Sequence, residues 1–175
     1  MEKFEKYRPI LTPHFTLDWL TAAKVKDIYA LRHDANVAKM SDRDVDSDIQ
    51  ATVDYVNKIM RAIMNNDSLL WGISERKIEK FLGTFCIWNF NDSKTAAEVR
   101  FEVLPNQQNH GIMTEILQRM TEFSFNELGL EKLYAVAKQS NTPAITVLKK
   151  TGFEIDPTYP GSQNTLSFSL CATTR

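Results

Sequence analysis

Residues 103–117 read VLPNQQNHGIMTEIL, and the fold turns on them. An apolar strand end runs through Val103 and Leu104 into Pro105. Polar, uncharged residues follow, then a single glycine, Gly111, and a helical pattern. A helix opening there leaves its first amide N–H groups without intrahelical partners, and its dipole adds positive potential. The glycine lets an anion approach the backbone closely, so the turn can bind phosphate without a charged side chain. Neither GxxxxGK[ST] nor GxGxxG is present, so a nucleoside-triphosphate loop and a dinucleotide fold have no support. A glycine turn that merely starts a helix fits the same residues, and the stretch alone leaves both readings open.

Working outward, AEVRFEVLP (97–105) is the strand that enters the turn, and GIMTEILQRMTEFSFNELG (111–129) is the helix that leaves it. Ile112, Ile116, Met120 and Phe123 share that helix's inner face, and Gly129 closes it. Upstream, SLLWGIS (68–74) and FLGTFCIWNF (81–90) read as hairpin strands, and HFTLDWL (14–20) alternates with period two. Between them lie helical patterns over 22–40, with Val25, Ile28, Tyr29 and Leu31 as a stripe, and over 51–64. Downstream, KLYAVAK (132–138) is a strand, and Asn141 caps a helix TPAITVLKK with Pro143 in its first turn. GFEI and TLSFSL (165–170) close the chain as strands, the latter leaving an edge on which a dimer could form. The order predicts a single α/β (α+β) domain over 1–175.

With 175 residues, 43% hydrophobic and 25% charged, the chain has material for a real core. A net charge of −1 lacks the basic footprint of a nucleic-acid binder. No apolar run suits a membrane span, and the charged start MEKFEKYRPIL does not read as a signal peptide. Cys86 and Cys171 stand far apart, which favours a reducing cytoplasm; His14, His33 and His110 show no metal-ligand spacing, so no metal is expected.

Five segments in order carry a family resemblance. LRHDANV (31–37), WGI (71–73), LGTFCIW (82–88), Gln108-Asn109-His110-Gly111-Ile112-Met113, and Asn141-Thr142-Pro143-Ala144 with VLKKTGF (147–153) together resemble the GNAT acyltransferases. They are most similar to the branch that acetylates N-terminal alanine or serine of ribosomal proteins. The resemblance implies a mixed, mostly antiparallel twisted sheet with helices on both faces, and a splayed V between its fourth strand, AEVRFEVLP, and its fifth, KLYAVAK. It implies acetyl-CoA as cofactor, with the diphosphate on the amides of Asn109, His110, Gly111, Ile112, Met113 and Thr114. It also implies a strand bulge within Arg100–Leu104, backbone donors at Val103 or Leu104, and Asn141 on the pantetheine arm. Met113 stands where the family has glycine or alanine.

The implied reaction is attack of a primary amine on a thioester in a ternary complex. An α-amine with a pKa near 7.8 is roughly a tenth neutral at pH 7, far more than a lysine amine, so an N-terminal acceptor needs less from a base. Leu148 stands where many members carry a tyrosine donor, and Ala144 where the ribosomal branch can carry serine. Glu98 matches the family's strand glutamate, Glu102 lies on the same face, and Asp156 follows the GF pair; these are the catalytic candidates. Tyr134 is a more distant donor. The acidic stretch SDRDVDSD (41–48) is expected to form a wall that attracts cations, or else a solvated loop whose residues cap the next helix. Two alternatives stay open: a catalytically silent acyl-CoA-binding module, and an acetyltransferase for polyamines or aminoglycosides. Monomer and homodimer are both compatible.

Overall fold

Alternating apolar residues and amphipathic helices assemble into one eight-stranded sheet with helices on both faces. The computed structural model describes residues 2–108 and 111–173. Along the chain lie β1 (Ile10–Leu11), β2 (Phe15–Asp18), α1 (Val25–Arg32), α2 (Ala35–Met40), α3 (Ile49–Met64), β3 (Leu69–Glu75), β4 (Phe81–Trp88) and β5 (Ala96–Val103). Then come α4 (Ile112–Asn126), β6 (Lys132–Lys138), α5 (Thr142–Lys150), β7 (Glu154–Ile155) and β8 (Thr165–Cys171). The strand order is β1-β2-β3-β4-β5-β6-β8-β7. Every pairing is antiparallel except β5 with β6.

The larger core lies on the α4 face. Ile116, Leu117, Met120 and Phe123 are fully buried among Trp71, Ile73, Phe85 and Ile87. Trp71 stacks on Trp19 at 5.9 Å and meets the edge of Phe123 at 5.6 Å. The smaller core, Leu20, Ile28, Leu31, Val37, Leu70 and Phe81, joins α1 and α2 to the opposite face. Each such side chain stabilises the fold by about 1.5–3 kcal/mol.

Three expectations change. The helical pattern over 22–40 is two helices, because the Asp34 side chain accepts from Val37 N–H and starts α2 afresh. TLSFSL is not an edge: β8 lies between β6 and β7, and the edges are the two-residue strands β1 and β7. Such short edges offer little template for a further strand. The bulge implied for Arg100–Leu104 is also absent from the β4–β5 ladder, whose register runs unbroken from Gly83↔Val103 to Trp88↔Glu98. The shift in this sheet falls instead between Ile73 and Ser74. Gly83 is what allows the tight β4–β5 approach, since a Cβ there would overlap the Glu102 carbonyl oxygen.

Candidate active site

β5 and β6 pair only from Ala96↔Lys132 to Val99↔Ala135, although β5 continues to Val103 and β6 to Lys138. Beyond Val99 each strand follows its outer neighbour: β5 stays on β4 through Val103, and β6 stays on β8 through Lys138. The V therefore opens without a bulge. Leu104 N–H donates to Leu82 carbonyl at 2.9 Å, which fixes the alternation. Even-numbered backbone groups of β5 bond to β4, so those of Phe101 and Val103 turn into the gap. Of the two expected donors, the Leu104 N–H is thus taken, and Leu104 itself lines a separate hollow beside Phe81 and Glu75. The Val103 carbonyl receives the Gln108 side-chain amide at 3.3 Å, which leaves the Val103 N–H facing the gap.

The gap widens into a cleft of about 520 Å³ whose walls include Phe101, Glu102, Val103, Gln108, Gly111, Ile112, Met113, Thr114 and Asn141. Sequence reasoning gave no site role to Met40, Ser41, Ser140 or Lys150, which also line it. Gly111 precedes α4 with φ +73°, in the left-handed region, and a Cβ there would meet nothing within 4 Å. No side chain among the described residues caps α4, so the N–H groups of its first turn remain available. Glu115, in that turn, is drawn away: it accepts from the Thr12 hydroxyl at 2.5 Å and from His14 N–H at 3.0 Å. Asn141 accepts from Ala144 N–H at 3.3 Å, which starts α5 and leaves its NH₂ toward the cleft. Asn109 and His110 lie outside the described residues.

The opposite face of the V is polar. Glu98, Arg100 and Glu102 share one face of β5; register sets Glu98 beside Tyr134 of β6, and Tyr134, Val136 and Lys138 beside Ser169, Ser167 and Thr165 of β8. Glu102 is locked by Arg43 from the α2–α3 loop through two bonds of 2.8 and 2.9 Å. That pair is largely buried. The Arg43 guanidinium is held above its ordinary value, because the Glu102 carboxylate outweighs the burial that pulls it down. Glu98, 5% exposed, accepts at Oε1 from the Tyr159 hydroxyl at 2.7 Å. Asn89 donates to the same hydroxyl at 2.9 Å, and the Tyr134 ring stacks on Tyr159 at 4.0 Å. Burial and the Glu98 bond raise the Tyr159 pKa, so it stays a neutral donor. Oε2 of Glu98 keeps no partner among the described residues, where the sole sealed, unpaired side-chain polar atom is Trp88 Nε1. Oε2 therefore retains access to solvent.

Asp156 sits elsewhere. It joins Lys132, at the closed end of the V, across 3.4 Å. Hydrogen bonds from Thr158 and Ser169 hold its carboxyl down to about 2, a poor base, and it does not line the cleft. Cys86, beside Arg100 in register, is pushed up to about 12 by burial, which leaves no thiolate for a covalent acyl-enzyme. Most of the acidic stretch is spent on internal bonds, with Asp44 left exposed. Asp46 accepts from Arg32 (3.1 Å twice) and Thr52 (2.8 Å), Asp48 caps α3, and Asp42 meets Lys138 at 3.6 Å. No group of three or more metal-ligating side chains occurs among the described residues, and none of their helices is long and apolar enough to cross a membrane.

Residues 14–154 match the family described as acetyltransferase (GNAT) domain. An uncharacterized N-acetyltransferase of Bacillus subtilis (strain 168), YoaA, is 22% identical over 147 residues, 83% of either chain. The acetyl transferase of Salmonella typhimurium that modifies the N-terminal serine of a 50S ribosomal subunit protein superposes with a TM-score of 0.80 at 12% identity, over 95% of this chain and 100% of that one. Spermidine N-acetyltransferase of Vibrio cholerae, in complex with CoA and spermine, gives 0.76 at 17% identity over 90% and 95%.

Proposed function

Because this chain belongs to the GNAT acetyltransferase family, and is therefore an acetyl-CoA-dependent N-acetyltransferase, we propose that it acetylates an α-amine at the V between β5 and β6. The observation that carries the reading is the ladder that stops at Val99↔Ala135 while both strands run on. The residues present fit the cofactor: unpaired backbone at Phe101 and at the Val103 N–H, open space over Gly111, and the uncapped start of α4.

When bound, acetyl-CoA supplies the acetyl group as a thioester open to attack by an amine. The N–H groups of Ile112, Met113 and Thr114 would hold its diphosphate, with Lys150 offering a cation at the same cleft. Met113 is 7% exposed, so its side chain packs inward and leaves that approach clear. The Phe101 backbone, the Val103 N–H and the Asn141 NH₂ would pair with the pantetheine amides. The Val103 N–H is the backbone donor left to face an acyl oxygen.

On the other face, Glu98 Oε2 accepts a proton from the acceptor ammonium, and Tyr159 keeps that carboxylate in place by bonding Oε1. Glu102, bonded twice by Arg43, joins that loop to β5. An α-amine suits this single base, because roughly a tenth of it is already neutral at pH 7. The Salmonella protein alike in fold modifies an N-terminal serine, which is the same class of nucleophile. Free Cys86 and Cys171 suit a reducing cytoplasm.

Thiol release from acetyl-CoA, followed with a panel of N-terminal peptides, amino acids and polyamines, tests the proposal. Turnover with an α-amine is expected. Firm CoA binding without turnover of any amine would leave the silent binding module as the correct reading.

A further inference from the structure

Arg100 differs from the other arginines around the V. Arg32 and Arg43 each hold a carboxylate through two bonds. Arg100 is exposed, lies over the Trp88 ring at 4.9 Å, and has no hydrogen bond or ion pair among the described residues. It lines a small chamber of about 90 Å³ between β5, β6 and the α2–α3 loop, together with Lys138, Asp42 and Ser162. That chamber adjoins the cofactor cleft, since Met40, Ser41, Phe101, Asn141 and Ala144 border both. Two cations there face one carboxylate, and Asp42 already contacts Lys138 and Ser162. Of the aspartates that might have drawn a polycation, Asp42 and Asp46 are paired and Asp48 serves as a cap, which leaves Asp44 alone without a side-chain partner among the described residues.

A guanidinium without an ion pair beside an acceptor site selects for negative charge and against a second ammonium. Glu98 and Arg100 are alternate residues on one strand face, about 6.7 Å apart at Cα. A molecule with an amine and a carboxylate separated by two or three bonds spans such a pair. We infer that the acceptor carries an anionic group beside its amine, held by Arg100 and seconded by Lys138, while Glu98 faces the nitrogen. This rests on the transferase reading given above and narrows its substrate class. A free amino acid offers this chemistry through its own carboxylate. A peptide opening on aspartate offers it through the side chain.

Matched acceptors separate the two sources. Alanine is compared with alaninamide, and a peptide amide opening on aspartate with its asparagine twin; spermidine supplies the opposite charge. Because a free carboxylate also raises the pKa of its neighbouring amine, the reading is the acid-to-neutral ratio of kcat/KM before and after Arg100→Gln. At least one pair is expected to lose about tenfold or more of its ratio in Arg100→Gln, chiefly through KM of the acid, as one charge-assisted contact disappears. Arg100→Lys should keep part of the ratio, because charge remains while the fork is lost. A ratio that Arg100→Gln leaves unchanged in both pairs, or preference for spermidine over every acid, overturns the inference while leaving the transferase intact. Turnover of no amine at all overturns both.

Discussion

The two faces of the V are built from different materials. The cofactor side is mostly backbone: N–H groups at the start of α4, edge groups of Phe101 and Val103, and open space over Gly111. The acceptor side is side chains that reach across the fold. Arg43 bonds Glu102 over a separation of 59 residues, Tyr159 bonds Glu98 over 61, and Ser162 bonds Asp42 over 120. A backbone site tolerates wide sequence change, because any residue brings the same N–H. A site of long-range side-chain pairs can be redirected to another acceptor by one substitution.

That contrast can be broken from the acceptor side first. Arg43→Ala leaves the buried Glu102 carboxylate without its partner. It should lower stability by about 3–5 kcal/mol, read as a drop in the urea midpoint at constant slope. Little change would mean that Glu102 finds water and that the pair is not sealed. Glu98→Gln removes the free oxygen while retaining a group that Tyr159 can bond. It should reduce kcat/KM by about 10²-fold or more with CoA binding kept. Undiminished activity would move proton transfer to another group.

Smaller effects sharpen the difference. Gly111→Ala places a Cβ in a left-handed conformation and should lower stability by about 1–2 kcal/mol, read from the same urea unfolding. The acid limb involves neither face. Asp156 titrates at about 2 when folded, below its unfolded value near 3.9. Its contribution is therefore complete above roughly pH 4 and is lost as pH falls toward 2. Asp46 and Glu115, also lowered, act in the same direction. In Asp156→Asn the decline of the thermal midpoint between pH 5 and 2 should be shallower; an identical decline would place Asp156 in solvent without its bonds.

The same contrast decides what the sequence discloses. Strand, turn and helix around Gly111 follow from local signals, as do the Asn141 cap and the inward stripe of α4. The splay rests on β6 staying with β8 beyond the point where it leaves β5, which no local pattern encodes; the resemblance supplied it. The break at Asp34 was legible as a capping residue but was hidden by a helical stripe that continues past it. Tyr159 lies in the aperiodic stretch DPTYPGSQN, and nothing nearby marks it as the partner of Glu98. In the acidic stretch, composition suggests an attractive wall, whereas Arg32 and Lys138 pair with Asp46 and Asp42 from other elements. Charge counts along a chain do not show pairing across it.

Calorimetric titration of CoA into the wild-type chain and into Gly111→Glu examines the backbone site most directly. A carboxylate at Gly111 projects into space that is otherwise open and repels a diphosphate there. Saturable heat with the wild type, and none with a Gly111→Glu protein whose circular dichroism shows it folded, is the expected result. Equal binding by both proteins would contradict the placement of the cofactor at the start of α4.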